Sequence, residues 1–387
     1  MSKPAGDFEA VRENYPVLKK TAYLDASSMG PLPSDSCEAM CAFIRDHAEN
    51  GTDIPQYDAN WGKLDALRAK IAEMIGAEGP ECIGYGLNSS TMMNLFANGI
   101  RLQPGDNVVL YDTAYPAMSY MWLNKKLQSG VDVRFAHAGE DGFVDENALF
   151  SLVDARTRAI TVCWVDNKTG FRHDLEAIGR FCRQRDLFFA VDATQACGAM
   201  KLDAEACQVD FLTSSGYKWL QSPLGIGFLY CSGRLLRSIA QSEMGWCNVA
   251  DRTKASDPLH YALSPAASRF ECGGLNVIGS IGLSMAVDRY LSLGADSIEE
   301  HILSLVDALY GELERIPGAQ TVHFPPAHRS GIVVVRLPRA WGVTDAILAE
   351  NGIRAHMLSP EHLRVGIHYY NNMDDILRLC RFLAARR

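Results

Sequence analysis

From about residue 80 to residue 230 the chain alternates short, continuously apolar runs with longer stretches of helical periodicity. That pattern predicts a mostly parallel sheet flanked by helices. Asn107-Val108-Val109-Leu110-Tyr111, Ala159-Ile160-Thr161-Val162-Cys163 and Phe188-Phe189-Ala190-Val191 have the length and residue types of buried strands. Phe211-Leu212-Thr213 and Ile226-Gly227-Phe228-Leu229-Tyr230 read the same way. Helices are expected over 35–50, 57–75, 175–185, 278–293, 298–315 and 373–387. Between residues 233 and 268 the pattern fades, and a segment of that length suits a lid or a subunit contact better than a linker. Beyond it, residues 331–337 alternate as a strand and, with the closing helix, predict a smaller α+β domain. The expected organisation is an N-terminal segment over 1–20, a large domain over 21–270, and a small C-terminal domain with its linking helix over 271–387.

The apolar runs end in polar turns, and in open α/β sheets ligands collect where strands end at their carboxyl edge. Asp192 closes one run, and Ser214-Ser215-Gly216-Tyr217-Lys218 follows the next. Taken alone, a strand-terminal aspartate is commonly a helix cap and a lysine before Trp-Leu is commonly solvated. Together the two suit carbonyl–amine chemistry. A lysine among apolar neighbours has a lowered pKa and forms a Schiff base, while a carboxylate keeps a pyridine nitrogen protonated and the ring an electron sink. The pairing points to pyridoxal 5'-phosphate. Asn88-Ser89-Ser90-Thr91 opens a helix, where hydroxyls cap the first turn and free N–H groups can also hold a phosphate. Tyr115 follows another strand and offers a flat ring for stacking, and Asp166-Asn167-Lys168-Thr169-Gly170 is a polar turn after a third.

Val191-Asp192-Ala193-Thr194-Gln195-Ala196 and Ser215-Gly216-Tyr217-Lys218-Trp219, followed by Pro223-Leu224-Gly225-Ile226-Gly227, resemble the cofactor-lysine region of class V aminotransferases. This is the cysteine desulfurase-like family of fold-type I pyridoxal-phosphate enzymes, which also includes epimerase-like and kynureninase-like branches. The resemblance spans about residues 20–385 and implies a large α/β domain with a smaller C-terminal α+β domain. It implies that Lys218 carries the cofactor, Asp192 pairs with the pyridine nitrogen, Tyr115 stacks on the ring, and Gln195 and Asn167 approach the ring oxygen or the substrate. Ser89, Ser90 and Ser215 are implied phosphate contacts. Tyr217 stands where many relatives have a phosphate-binding histidine. Arg269-Phe270-Glu271-Cys272-Gly273-Gly274-Leu275-Asn276 is similar to the segment that reaches a neighbouring subunit's phosphate, with Gly274 in place of threonine, so only its backbone N–H could serve. Tyr23-Leu24-Asp25-Ala26-Ser27-Ser28-Met29-Gly30-Pro31 resembles the family's site entrance, and places Ser27 near the substrate. Leu363-Arg364-Val365 resembles the strand whose arginine grips the substrate carboxylate in two places.

A chain of 387 residues, 48% hydrophobic and 21% charged, is ample for such a core, and a net charge of −9 argues against a nucleic-acid or anionic-membrane surface. The eleven cysteines form no CxxC pair or disulfide framework, which fits reduced core residues in a cytoplasmic protein. No metal ligand set, signal peptide or membrane-spanning run is read in the chain. Family members that transfer sulfur carry a nucleophilic cysteine on the loop before the substrate arginine. Residues 352–362 contain none, although His356 and His362 are candidate general bases there. The resemblance therefore implies an enzyme acting on an amino-acid substrate, a homodimer, and a lyase of the C–S β-elimination type or an aminotransferase without a persulfide-forming cysteine. Epimerisation, kynureninase-type C–C hydrolysis and a non-enzymatic binding or regulatory role stay open, because one fold hosts them all.

Overall fold

The computed structural model describes residues 7–139, 142–250 and 261–386. A seven-stranded sheet runs edge to edge as Ile83–Gly86, Gly227–Cys231, Phe211–Ser215, Phe188–Asp192, Thr157–Cys163, Asn107–Tyr111 and Asp132–Ala136. Gly227–Cys231 is antiparallel to both its neighbours, and the other paired strands are parallel. Parallel strands covered on both faces need apolar residues throughout. Asn107–Tyr111 and Phe211–Ser215 are buried at every position. The crossover helices start where the sequence supplies caps: Asp174 accepts the Ala177 N–H ahead of Leu175–Gln184, and Pro116 opens Pro116–Ser129. This topology brings the carboxyl ends of the Asp192, Ser215, Cys163 and Tyr111 strands to one edge.

A second sheet, ordered His356–Ser359, His362–Gly366, Ile332–Arg336 and Gln320–Thr321, is antiparallel throughout. The helices Ala295–Leu313 and Met373–Ala384 accompany it, and the long helix Val277–Leu293 packs on Ala295–Leu313 as well as on Ser34–Asn50 and Ile54–Ile75. The stretch over 352–362, expected as a loop, is mostly strand: His356–Ser359 folds back antiparallel on His362–Gly366, so only a short turn remains between them. Residues 8–20 are tied to the C-terminal part. Arg12 grips Asp375 with two hydrogen bonds of 2.7 and 3.0 Å, and Ala22–Tyr23 pairs in parallel with Ile353–Arg354. Within 233–268, Gly233–Leu236 is a short helix and Val249 bridges to Leu263. Residues 251–260 of that expected lid or contact lie outside the described residues. No helix among the described residues is long and apolar enough to cross a membrane.

Candidate active site

The strand ends at the carboxyl edge open onto a cavity of about 420 Å³, lined among others by Lys218, Asp192, Tyr115, Asn167 and Ser215. Lys218 is 9% exposed, and its amine lies 5.5 Å from the ring centroid of Tyr115 and 5.8 Å from that of Tyr217. Burial pushes its pKa down to about 8, with the Asp192 charge working against the shift and Arg364 adding to it. Asp192 is 6% exposed, and its Oδ1 accepts the Thr194 N–H at 3.0 Å, the one hydrogen bond its carboxylate makes among the described residues. The Tyr115 N–H reaches Cys163 Sγ at 3.4 Å, fixing the aromatic residue at the mouth of its helix. Burial pushes the Cys163 thiol well up, so this cavity-lining sulfur is held neutral.

At one end of the cavity stands the N-terminus of helix Ser89–Gly99, capped by Asn88, whose side chain accepts the Thr91 N–H at 3.0 Å. The Ser89 N–H donates to Ser215 Oγ at 2.9 Å, the Ser89 and Thr213 hydroxyls share a hydrogen bond of 2.6 Å, and the Ser215 N–H donates to Thr194 Oγ1 at 3.1 Å. Ser90 is exposed at the rim beside this cluster. A helix N-terminus ringed by hydroxyls suits an anion.

Beside the cavity, Arg364 is 5% exposed and donates to Ser28 Oγ at 2.6 Å and to the Asn167 carbonyl at 3.1 Å. Its Nε has no acceptor among the described residues, and Asp25 stands 3.8 Å away. Burial lowers the Arg364 pKa, with Asp25 offsetting the effect, and burial raises that of Asp25 against the pull of Ser28 and Arg364. At 3.8 Å Asp25 is outside hydrogen-bond reach, which leaves the guanidinium Nε to meet a carboxylate. The serine that reaches the arginine is Ser28, not Ser27. Ser27 is fully buried, its hydroxyl turned to Asp25 at 3.4 Å, and it does not line the cavity. Ser28, partly exposed, is the serine of this turn whose hydroxyl meets the guanidinium.

Gln195 and Tyr217 both line the cavity. The Gln195 amide is bound at both ends, accepting the Trp219 indole N–H at 2.8 Å and donating to the Ser27 carbonyl at 3.0 Å. Gly274 is exposed and outside the cavity wall. Its segment reaches the rim through Asn276, whose amide donates to the Gly225 carbonyl at 3.1 Å. His356 and His362 do not line the cavity: His356 pairs with Asp345 at 3.0 Å and His362 with Ser359 at 2.9 Å. Cys163, Thr194, Asp25 and Ser28 are site residues that the sequence reading passed over as roles. Thr194, Asp25 and Ser28 lie inside the family-like motifs, whereas Cys163 closes an apolar strand and carries no sign beyond that burial.

The residues present fit the pyridoxal phosphate that the resemblance implies. Lysine and aspartate face one cavity, an anion-ready helix end closes it, and Asn167 leaves a buried Oδ1 on its wall with no hydrogen-bond partner among the described residues. Residues 22–379 match the sequence model of the family described as Aminotransferase class-V. The chain belongs to that family. It is 29% identical over 397 residues to a probable cysteine desulfurase of Methanothermobacter thermautotrophicus, covering 95% of each chain. A C-DES mutant with glycine covalently linked to its PLP cofactor superposes with a TM-score of 0.88 at 23% identity, covering 96% of this chain and 98% of that one. The cystine C–S lyase C-DES in complex with cysteine persulfide gives 0.88 at 24% identity, covering 96% and 99%.

Proposed function

We propose that this pyridoxal-phosphate-dependent enzyme is a lyase that eliminates sulfur from the β-carbon of a cysteine-type amino acid without a persulfide on the protein. The observation that carries the reading is the placement of Lys218 and Asp192 across one cavity with the charged, half-partnered Arg364 beside it. Lys218 and Asp192 would hold the cofactor at its aldehyde and ring nitrogen, Tyr115 against its face, and Ser90, Ser215 and the helix N-terminus at its phosphate. When bound, the cofactor supplies an electron sink for charge developing at the substrate α-carbon. Arg364 grips the substrate carboxylate and fixes the α-hydrogen toward Lys218. The Lys218 Nζ, neutral near pH 8, then takes that proton as a general base. The curated relative supports sulfur chemistry by its name, and the cysteine-free segment over 352–362 supports release over protein-bound transfer.

With PLP and cysteine, the purified chain is expected to release pyruvate, ammonia and sulfide in equal amounts, since cysteine plus water balances to those three products. Alanine formation with sulfur bound to the protein, or keto acid without ammonia, would replace this reading by desulfuration or transamination. Arg364→Ala is expected to raise KM for the amino acid about 10–100-fold, the worth of one charged hydrogen-bonded contact, with Arg364→Lys intermediate. Steady-state kinetics on both variants checks it, and an unchanged KM in Arg364→Ala removes the carboxylate role.

We propose also that the active form is a homodimer. Leu87 and Leu224 are 60% and 61% exposed at the cavity rim, an apolar margin that a second subunit would cover, bringing its Gly274 N–H to the phosphate end.

A further inference from the structure

The peptide that carries Lys218 is held by a buried polar cluster away from the cavity. The Lys218 carbonyl accepts the Gln221 N–H at 3.0 Å, closing a turn in which Gln221 adopts φ of 51°. A left-handed backbone is disfavoured for a residue with a Cβ, so surrounding contacts must hold it. Asp186 and Gln208, the other described non-glycine residues with positive φ, lie exposed or partly exposed, but Gln221 is 1% exposed.

Its amide is the hub of the cluster. Oε1 accepts from the hydroxyl of Tyr15 and from that of Tyr369 at 2.8 Å, and Nε2 lies 3.3 Å from His368 Nδ1, the ring nitrogen that accepts. His368 stacks on Trp219, its Nε2 sits 2.7 Å from the Trp219 carbonyl, and its Nδ1 accepts the Tyr369 N–H at 2.7 Å. Burial lowers the His368 pKa to about 3, so the ring stays neutral with a single N–H, which the Trp219 carbonyl takes. On the other side the Trp219 indole donates to Gln195, a cavity residue. Tyr15 from the start of the chain, His368 and Tyr369 from its end, and Gln195 from the cavity wall thus grip Trp219 and Gln221, two of the three residues that follow Lys218.

We infer that Gln221 is a positioning residue for Lys218: its buried amide, shared among Tyr15, Tyr369 and His368, sets the turn that aims the lysine amine into the cavity. The inference rests on the reading of Lys218 as the cofactor lysine. A residue needed only for folding changes stability alone, whereas a positioning residue also changes how the amine reacts.

Gln221→Gly separates the two, because glycine keeps the left-handed turn without strain and removes the amide. Apoprotein is mixed with PLP over a pH series, reduced with borohydride, and the adduct at residue 218 is quantified by peptide mass spectrometry. Gln221→Gly is expected to attach PLP about tenfold more slowly at pH 8, with the pH midpoint moved by about half a unit or more. Its kcat is expected to fall about tenfold while KM stays within about twofold. Tyr369→Phe, which keeps the ring and deletes one donor, is expected to move both readouts part of the way and decides the matter if the glycine variant does not fold. Variants that attach PLP and turn over like wild type overturn the inference alone. A wild-type chain with no adduct at residue 218 overturns the functional reading and this inference with it.

Discussion

Lys218→Ala is expected to abolish covalent attachment of PLP, remove the near-visible absorbance of the loaded protein, and lower turnover about a thousandfold or more. The size of the effect follows from the lack of a substitute. The amine stands between the rings of Tyr115 and Tyr217, and the nearest other cation named at the site, Arg364, cannot give up its proton to act as nucleophile or base. The pH dependence of the wild-type protein has a definite sign. Burial penalises the ammonium form, so the neutral, nucleophilic amine appears as pH rises through about 8, well below the ordinary lysine value. Attachment rate should therefore climb through that pH. The unfolded lysine keeps its proton to about pH 10.4, so between the two values the unfolded chain binds more protons. Apoprotein stability due to this group consequently rises with pH across the same window, and the cost of burying the ammonium is felt in full below it. Absorbance-monitored reconstitution from pH 6.5 to 9.5 tests the rate. A midpoint near 10, or residual attachment in a folded Lys218→Ala variant, would show that another amine does the work.

The strands that end at the cavity are legible because each is a short apolar run closed by polar residues, so Asp192, Ser215, Asn167 and Tyr115 stand out as strand-end residues in the sequence itself. The sheet then brings them together by topology alone. What stayed hidden depends on contacts between distant parts of the chain or on which way one side chain points. Ser27 and Ser28 are indistinguishable in a turn sequence, yet only Ser28 meets Arg364. Residues 352–362 read as a loop because their polarity hides a pairing that only the antiparallel partner strand reveals. Gln221 carries no local sign of its role, since its partners Tyr15 and Tyr369 lie near opposite ends of the chain. Glu271 is a sharper case: the motif containing it suggested a phosphate-directed segment, while the side chain itself is turned inward to hold the fold.

Glu271→Ala is expected to destabilise the folded chain by about 3–5 kcal/mol, because it leaves the buried Arg68 cation with only the exposed Asp65, 3.2 Å from its Nε, as counter-charge. Both Glu271 oxygens are taken by Arg68, at 2.6 and 2.8 Å, and one of them also accepts the Tyr85 N–H at 2.9 Å. Arg68 lies over the Tyr85 ring at 4.5 Å and donates to the Ile83 carbonyl at 2.8 Å, so the pair clamps helix Ile54–Ile75 and the edge strand Ile83–Gly86 to the segment leading to Gly274. Burial alone would lower the Arg68 pKa, but the Glu271 charge more than reverses this and the guanidinium is held above its usual value. With the acid gone the cation cannot shed its proton, so the penalty falls on the folded state. The double variant Arg68→Met/Glu271→Met should recover most of the loss, since a buried ion pair and well-packed apolar side chains of similar volume are often close in stability. Recovery should stop about 1–3 kcal/mol short, because the Tyr85 N–H and the Ile83 carbonyl remain without partners. Urea denaturation of the three proteins at neutral pH measures both steps. If the single variant lost less than about 1 kcal/mol, the pair would be behaving like an exposed one and its burial would not govern its energetics.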